Sequence, residues 1–162
     1  MAAHRGPVHG RVAGALALAL LALVGWWAYP PRRPQADAPP GLLTGHWIDV
    51  GQGDAAWLRL PAGEEDPVDI LVDGGSPAAG PTVAAYLREH GVDALDLVVA
   101  THDDADHIGG LPAVLAAVPA REAWFGDPAC DSAACAALAA ALEAGEVPTS
   151  TVRRGDERAW GA

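Results

Sequence analysis

Positive charge is scarce in this chain. The 162 residues carry 10 Lys and Arg against 21 Asp and Glu, and from Gly41 onward the count is 6 against 20, a balance of −14. Phosphate backbones are bound largely through clustered cations, so this composition argues against tight non-specific binding of a nucleic-acid duplex, unless tail arginines and further protein form a basic face. A small ester or phosphodiester is compatible with the charge. Strong acidity also suits a secreted or surface-exposed soluble domain.

Cysteine is nearly absent as well. Cys130 and Cys135 are the only two, and no second CxxC or CxxH pair accompanies them, which argues against a cysteine-based zinc site. Their spacing permits a local disulfide if the domain lies outside the cytoplasm, and the alternative is a pair of small buried apolar residues. The chain also has no GxSxG motif, so we interpret Ser76 as a turn residue and not as a nucleophile.

The start of the chain has the composition of a membrane anchor. Residues 1–11 are basic, and residues 12–29 form an uninterrupted run of 18 apolar residues and glycines, just long enough to cross a bilayer as a helix. Trp26, Trp27 and Tyr29 would lie at the level of the lipid headgroups. We therefore expect one transmembrane helix that holds an extracytoplasmic domain at the cell membrane. The alternative is a signal peptide, whose removal would give a secreted protein.

A proline-rich linker follows this run. Residues 30–40 consist mainly of proline, alanine and charged residues, a composition typical of an extended spacer. Beyond it, hydrophobic periodicity predicts an α/β domain over 41–162. Predicted strands cover 44–50, 55–60, 69–72, 95–100 and 123–125, and predicted helices cover 82–90, 111–118 and 132–145.

The segment THDDADHIGG, residues 101–110, is the strongest indication of chemistry. It places two imidazoles and three carboxylates in six consecutive positions directly after an apolar run. An extended segment points alternate side chains the same way, so we expect His102, Asp104 and Asp106 to share one point and His107 to reach a second. Such ligands suit Zn²⁺ or Mn²⁺, and two ions about 3.5–4 Å apart can clamp a hydrolytic displacement. A solvated acidic loop is the alternative, but the two histidines argue against it.

Three motifs together resemble the metallo-β-lactamase superfamily. The loop at 101–110 has the form HxDxDH, which is similar to the hydrolase domain of ComEC-type DNA-uptake proteins and their stand-alone relatives. WIDVGQGDAA at 47–56 and ILVDGG at 70–75 fit the same branch in the same order. The resemblance implies an αββα sandwich that carries out metal-dependent hydrolysis.

The resemblance also implies a role for each matching residue. His102 and Asp104 would serve a first divalent metal ion. Asp106 and His107 would serve a second, and Asp106 would also act in catalysis by orienting the attacking water. Three further carboxylates would lie beneath the site and orient its ligands through hydrogen bonds: Asp49, Asp54 and Asp73.

One feature departs from the family pattern. Relatives complete the two-metal site with a later His, a bridging Asp and a further His, whereas no histidine follows His107 here. Only about 120 residues follow the linker, and an αββα sandwich needs closer to twice that number. We therefore expect an α/β domain that is the N-terminal half of the sandwich, apparently truncated and preceded by one transmembrane helix.

These observations predict a membrane-anchored hydrolase with two Zn²⁺ or Mn²⁺ ions that cleaves phosphodiester bonds in nucleotides or DNA. Asp104 in place of a histidine argues against an ordinary β-lactam hydrolase. The alternative is a non-catalytic half-domain that is an incomplete gene product or acts only with a partner chain completing the fold.

Overall fold

The computed structural model describes residues 42–61, 66–126 and 130–160. The strands within these ranges are β1 (Thr44–Trp47), β2 (Ala56–Leu60), β3 (Val68–Val72), β4 (Leu97–Ala100), β5 (Ala123–Phe125) and β6 (Thr149–Thr151). The helices are α1 (Gly80–Glu89), α2 (Ala105–Ile108), α3 (Leu111–Ala117) and α4 (Ala133–Ala144). The expected membrane segment and linker, residues 12–40, lie outside the described residues. Within the described ranges, no helix is both long and apolar enough to cross a bilayer.

The six strands form one mixed sheet in the order β1-β2-β3-β4-β5-β6. The first three are antiparallel neighbours, whereas β3 to β6 run parallel. Parallel neighbours need crossover connections, and helices supply them here: α1 joins β3 to β4, α2 and α3 join β4 to β5, and α4 joins β5 to β6. The carboxyl ends of β3, β4 and β5 therefore lie along one edge of the sheet. The α/β class predicted from the sequence is confirmed.

The main hydrophobic core lies between one face of the sheet and the helices. Trp57, Leu71 and Val98 from the strands are at most 1% exposed, and Leu87 of α1 and Leu111 of α3 belong to the same buried cluster. Burying side chains of this size contributes about 1.5–3 kcal/mol each. This packing fixes the position of the sheet edge formed by the carboxyl ends of β3 and β4.

The opposite face of the sheet is apolar too. Val68, Ile70 and Leu97 form a second buried cluster, bordered by Trp124 and by Trp160 from the C-terminal tail. No residue of a described helix belongs to this cluster. Apolar side chains on both faces are typical of parallel strands that are covered on both sides.

Two differences from the sequence prediction, one boundary and one additional strand, have local reasons. The first strand was expected to reach residue 50 but ends at Trp47, because the Asp49 carboxylate accepts a hydrogen bond from the Gly51 amide and forms a turn. Strand β6 was not predicted at all. The strand has only three residues, all polar and exposed, so the sequence shows no hydrophobic alternation there. Parallel pairing with β5 defines the strand.

A buried ion pair ties β2 to β3 on the core side of the sheet. Asp69 is 5% exposed and accepts hydrogen bonds from Trp57 Nε1 (2.9 Å) and from two nitrogens of Arg59, Nε (2.8 Å) and Nη2 (2.9 Å). Its amide donates to the Asp96 carboxylate at the start of β4 (2.8 Å). The carboxylate therefore satisfies an indole and a guanidinium at once.

We expect Asp69→Ala to lower the free energy of unfolding by about 3 kcal/mol, because it removes a buried carboxylate that accepts hydrogen bonds from the Trp57 indole and from two nitrogens of Arg59. Urea denaturation monitored by tryptophan fluorescence measures this change. Asp93→Ala, which removes an exposed carboxylate, is the control and should change stability by less than about 0.5 kcal/mol. Equal effects of the two variants would contradict a structural role for the Asp69 pair.

Candidate metal centre

Two strand ends bring the site together. β3 and β4 are parallel and in register, with Val72 opposite Val99, so the residues that follow them meet at the same edge. Asp73 continues β3, and its amide donates to the Val99 carbonyl (2.9 Å). Thr101 follows β4 and begins the loop that carries the histidines. The side chain of Asp73 consequently lies against that loop.

Asp73 is the buried centre of this arrangement. It is 2% exposed and accepts hydrogen bonds from the Thr101 amide (3.0 Å) and the Thr101 hydroxyl (2.6 Å). Its Oδ2 also lies 3.0 Å from Nδ1 of His107. The residue has a φ of 57°, a left-handed conformation that costs a side-chain-bearing residue about 1–2 kcal/mol. Three hydrogen bonds to one carboxylate offset that cost.

Asp73 orients both imidazoles. His107 directs Nδ1 at the carboxylate, which leaves its Nε2 for another partner. The Thr101 hydroxyl gives its proton to Asp73, so its oxygen is an acceptor for Nδ1 of His102, 2.9 Å away. Nδ1 of His107 is thereby engaged by a carboxylate and Nδ1 of His102 by a hydroxyl, so Nε2 is the nitrogen of each ring that remains for a metal ion.

The ring of His107 is largely enclosed, with 17% of its side chain exposed. Burial by itself lowers the pKa of an imidazole, but the hydrogen bond and negative charge of Asp73, together with Asp106 and Asp54, outweigh it and raise the pKa of His107 above its ordinary value. A proton therefore competes with a metal ion for this side chain more strongly than it would for an ordinary imidazole.

The loop itself differs from the predicted extended segment. Asp104 has an extended conformation, but α2 begins at Ala105, so Asp106 and His107 lie on a helical turn. Side chains on a turn do not alternate, and the expected common point for His102, Asp104 and Asp106 is not produced by strand geometry. The helix forms because the Asp104 carbonyl accepts from the amides of His107 and Ile108 (3.0 Å each).

The structure nevertheless groups most of the predicted side chains. The rings of His102 and His107 are 4.0 Å apart, and Nε2 of His102 lies 3.2 Å from the Asp104 carboxylate. One ligand atom each from Asp73, His102 and His107 lies within 4.8 Å of the others. Asp73, expected to lie beneath the ligands, is thus close enough to join them, and the four-ligand set with Asp104 and Asp106 stays a prediction.

Asp106 faces the solvent side of the site. Its carboxylate accepts a hydrogen bond from Gln52 Nε2 (3.1 Å) in the β1–β2 turn. That bond, with smaller contributions from the charges of His107 and His102, lowers the pKa of Asp106 below its ordinary value. Asp106 is therefore an ionised acceptor at neutral pH.

The β1–β2 turn packs directly on the metal loop, residues 101–110. Gly53 has a φ of 102°, and a Cβ at this position would lie 1.7 Å from the Asp106 carbonyl oxygen. Asp54 places Oδ2 3.7 Å from His107 Nδ1, while its carbonyl accepts from the Gly75 amide (2.8 Å). Asp49 bonds to Gly51 within the turn and shapes the turn itself.

Sequence reasoning did not single out three residues that contact this site. Gln52 and Thr101 adjoin recognised motifs, and their position next to Gly53 and His102 was the available signal. Ser132 lies 29 positions from its partner, the Asp103 carbonyl, so no local pattern could reveal it. It sits inside the segment closed by a disulfide between Cys130 and Cys135, the pair considered from spacing alone.

The side chains present fit a divalent ion by their chemistry. Two imidazole nitrogens whose other nitrogen is already oriented, beside carboxylate oxygens, are the ligands that Zn²⁺ and Mn²⁺ take. The hydrogen bonds that the buried Asp73 carboxylate accepts come from Thr101 and His107, so a cation bound at the histidines would lie close to a carboxylate.

Close approach at Gly53 gives a first prediction for this site. Gly53→Ala should displace the β1–β2 turn from the loop and lower the free energy of unfolding by more than about 2 kcal/mol, since left-handed strain adds to a backbone clash. Gly51→Ala is the matched control, with a φ of 75° but open space around the new methyl group. Thermal denaturation measures both. A loss no larger in Gly53→Ala than in Gly51→Ala would show that the contact is unimportant.

The raised pKa of His107 predicts a pH dependence in chelator-treated protein. Stability from the His107–Asp73 pair is fully present below the pKa of the unfolded chain and is lost as pH rises through the higher folded pKa. The free energy of unfolding of the native sequence, relative to His107→Gln, should therefore fall between about pH 6 and pH 8.

His46 has a pKa lowered by burial and by His90 and Arg59, which gives a dependence of opposite sign. Because His46 is present in both proteins, its contribution cancels in the difference. Parallel stability curves for the native sequence and His107→Gln would rule out the predicted proton on His107.

Comparison with known proteins identifies the family. The sequence model described as "Metallo-beta-lactamase superfamily" matches residues 48–137. Similar solved structures include metallo-beta-lactamase SMB-1 bound to 2-mercaptoethanesulfonate, with 26% identity over 57% of this chain and 36% of that chain and a TM-score of 0.45. The metallo-beta-lactamase from Hirschia baltica has 18% identity over 71% of this chain and 48% of that chain, with a TM-score of 0.35.

Rubredoxin oxygen:oxidoreductase from Desulfovibrio gigas has 18% identity over 68% of this chain and 26% of that chain, with a TM-score of 0.42. The chain thus spans between about a quarter and a half of the length of these three proteins. No curated protein matches it significantly. Because the family's sequence model covers more than half of its residues, including the loop with both histidines, the chain belongs to the metallo-β-lactamase superfamily.

Proposed function

We propose that this chain carries the metal-binding half of a metal-dependent hydrolase that cleaves phosphodiester bonds, as its motifs' resemblance to the ComEC-type branch suggests. The observation that supports it best is the pair of imidazoles oriented through one buried carboxylate, Asp73. Asp104 adds an oxygen beside His102 where an ordinary β-lactam hydrolase has a histidine. Oxygen-rich ligand sets favour harder ions, which bind phosphate oxygens well.

We assign two divalent ions, Zn²⁺ or Mn²⁺, to the four residues of the loop. His102 and Asp104 would hold one ion, and Asp106 and His107 the other. When bound, such ions polarise the ester and lower the pKa of water to near neutrality. Asp73 would keep both rings in place through its bond to His107 and through the Thr101 hydroxyl.

Asp106 is the residue that we assign to catalysis. Its lowered pKa keeps it ionised at neutral pH, and the Gln52 side chain fixes one of its oxygens. An ionised carboxylate at the open side of the site can accept a hydrogen bond from a water molecule and orient it toward a substrate.

The surface charge favours a nucleotide or a short nucleic-acid end as the substrate. Arg158 is paired with Glu122 (3.2 Å), while Arg153 and Arg154 are exposed. The few exposed arginines of the described residues provide little of the positive surface that duplex DNA needs. Binding of DNA along its length would require basic residues from further protein.

We also propose that residues 12–29 anchor the domain at the cell membrane, with the domain outside the cytoplasm. The disulfide between Cys130 and Cys135 supports this placement, because such bonds persist in oxidising compartments. The acidic domain surface is compatible with it. A secreted form, released by signal cleavage, is the alternative.

A second candidate function rests on the apolar face of the sheet against which no described helix packs. Val68, Ile70 and Leu97 lie there with Trp124, and Trp47 at the sheet edge is 80% exposed. A partner chain that completes the sandwich would cover this face and supply further metal ligands. This candidate predicts association and no turnover by the chain alone.

Hydrolysis by the full-length protein that contains this metal-binding half tests the first candidate. We expect Mn²⁺- or Zn²⁺-dependent cleavage of bis(p-nitrophenyl) phosphate, loss of that activity with EDTA, and no cleavage of the β-lactam nitrocefin. Asp106→Asn should lower kcat by about 10²- to 10⁴-fold, since the amide is a much poorer proton acceptor.

Asp93→Asn, an exposed carboxylate before β4 at the opposite sheet edge, is the control and should keep its activity. Metal binding without turnover, restored by a second chain, would favour the paired half-domain. Absence of both metal binding and turnover would refute the hydrolase proposal.

A further inference from the structure

Ser132 makes two hydrogen bonds with different partners. It is the N-cap of α4, and its Oγ accepts a hydrogen bond from the Cys135 amide (3.0 Å). The same hydroxyl donates to the carbonyl oxygen of Asp103 (2.8 Å). A serine hydroxyl has a single proton, so the Asp103 carbonyl receives the only proton that the Ser132 side chain can donate.

The second bond is not needed to cap the helix. Capping uses the acceptor lone pairs of the serine oxygen, whereas the proton could point to water at no cost to α4. Here it points to the carbonyl of the peptide that joins Asp103 to Asp104. Asp103 is the residue between His102 and Asp104, the two residues proposed to share a metal ion. A shift of the backbone at Asp103 would therefore move the attachment points of both side chains.

Ser132 is itself held from two sides. The disulfide between Cys130 and Cys135 closes a short turn around it. Helix α4 is fixed in the core through Leu138 and Leu142, which are at most 1% exposed. The turn formed by residues 130–135 is therefore a rigid support beside the metal loop.

We infer that Ser132 is a positioning residue for the metal site: from the disulfide-closed turn at 130–135 it holds the Asp103 carbonyl and so sets the orientation of His102 and Asp104. This inference rests on the proposed metal-binding function. Outer groups that orient metal ligands typically account for 10- to 100-fold in metal affinity.

Two substitutions separate positioning from capping. Ser132→Asp keeps an oxygen that accepts from the Cys135 amide but has no proton for the Asp103 carbonyl at neutral pH. Ser132→Thr keeps both functions. The added negative charge of Ser132→Asp would by itself attract a cation, so weaker metal binding in this variant would have to come from displacement of the loop that carries His102 and Asp104.

We expect Ser132→Asp to bind Zn²⁺ and Mn²⁺ about 10-fold more weakly than the native sequence, with a Tm like that of Ser132→Thr. Ser132→Thr should bind within about 2-fold of the native sequence. Titration against a competing chelator gives the affinities. Hydrogen exchange of the amides at 104–107 in metal-free protein should be faster in Ser132→Asp than in Ser132→Thr.

The disulfide provides an independent test. Replacing Cys130 and Cys135 together by serine should weaken metal binding in the native background and change it little in Ser132→Asp, because both changes release the same contact. If the losses of metal affinity caused by the cysteine replacements and by Ser132→Asp were fully additive, the inference would be overturned.

Equal metal affinity and equal loop exchange in Ser132→Asp and Ser132→Thr would also overturn it and leave Ser132 as a helix cap. If the native chain binds no metal, the proposed function fails. The exchange comparison in metal-free protein still decides whether Ser132 positions the loop.

Discussion

The buried carboxylate of Asp73 is the interaction on which the site depends. It lies directly after β3, in a left-handed backbone conformation, and it accepts hydrogen bonds from Thr101, the residue that follows β4, and from His107. A buried charge of this kind is costly unless every lone pair is used. The same bonds that satisfy it align both imidazoles, so the stability of the strand ends and the geometry of the site have one cause.

The parallel pairing of β3 and β4 makes this interaction available. Three motifs far apart in sequence meet because the sheet brings the strand ends together and the β1–β2 turn folds back over them. Backbone bonds complete the junction: the Gly74 amide donates to the His107 carbonyl (2.7 Å), and the Gly110 amide donates to the Gly75 carbonyl (2.8 Å). A Cβ at Gly110 would lie 2.0 Å from the Gly74 carbonyl oxygen, so a diglycine is required where these segments cross.

Patterns within short segments were enough to predict most of the fold. The helix predicted over 132–145 locates α4 within a residue at each end, and the apolar run before Thr101 locates β4. Contacts across the fold were not predictable in this way. The role of Asp73 as a shared acceptor depends on strand register, and the turn at Ala105 depends on carbonyl hydrogen bonding that composition does not reveal.

The placement of carboxylates suggests a division of labour in the site. Asp73 is enclosed, and its carboxylate accepts hydrogen bonds from Thr101 and His107. It can therefore orient the histidines but is poorly placed to take a proton from solvent. Asp106 is ionised, open to solvent and fixed by a neutral amide, which leaves lone pairs for water. The surroundings of Asp73 and Asp106 thus give two identical carboxylates different roles. Asp106, whose oxygens are exposed and can still accept hydrogen bonds, is the one suited to the proposed reaction.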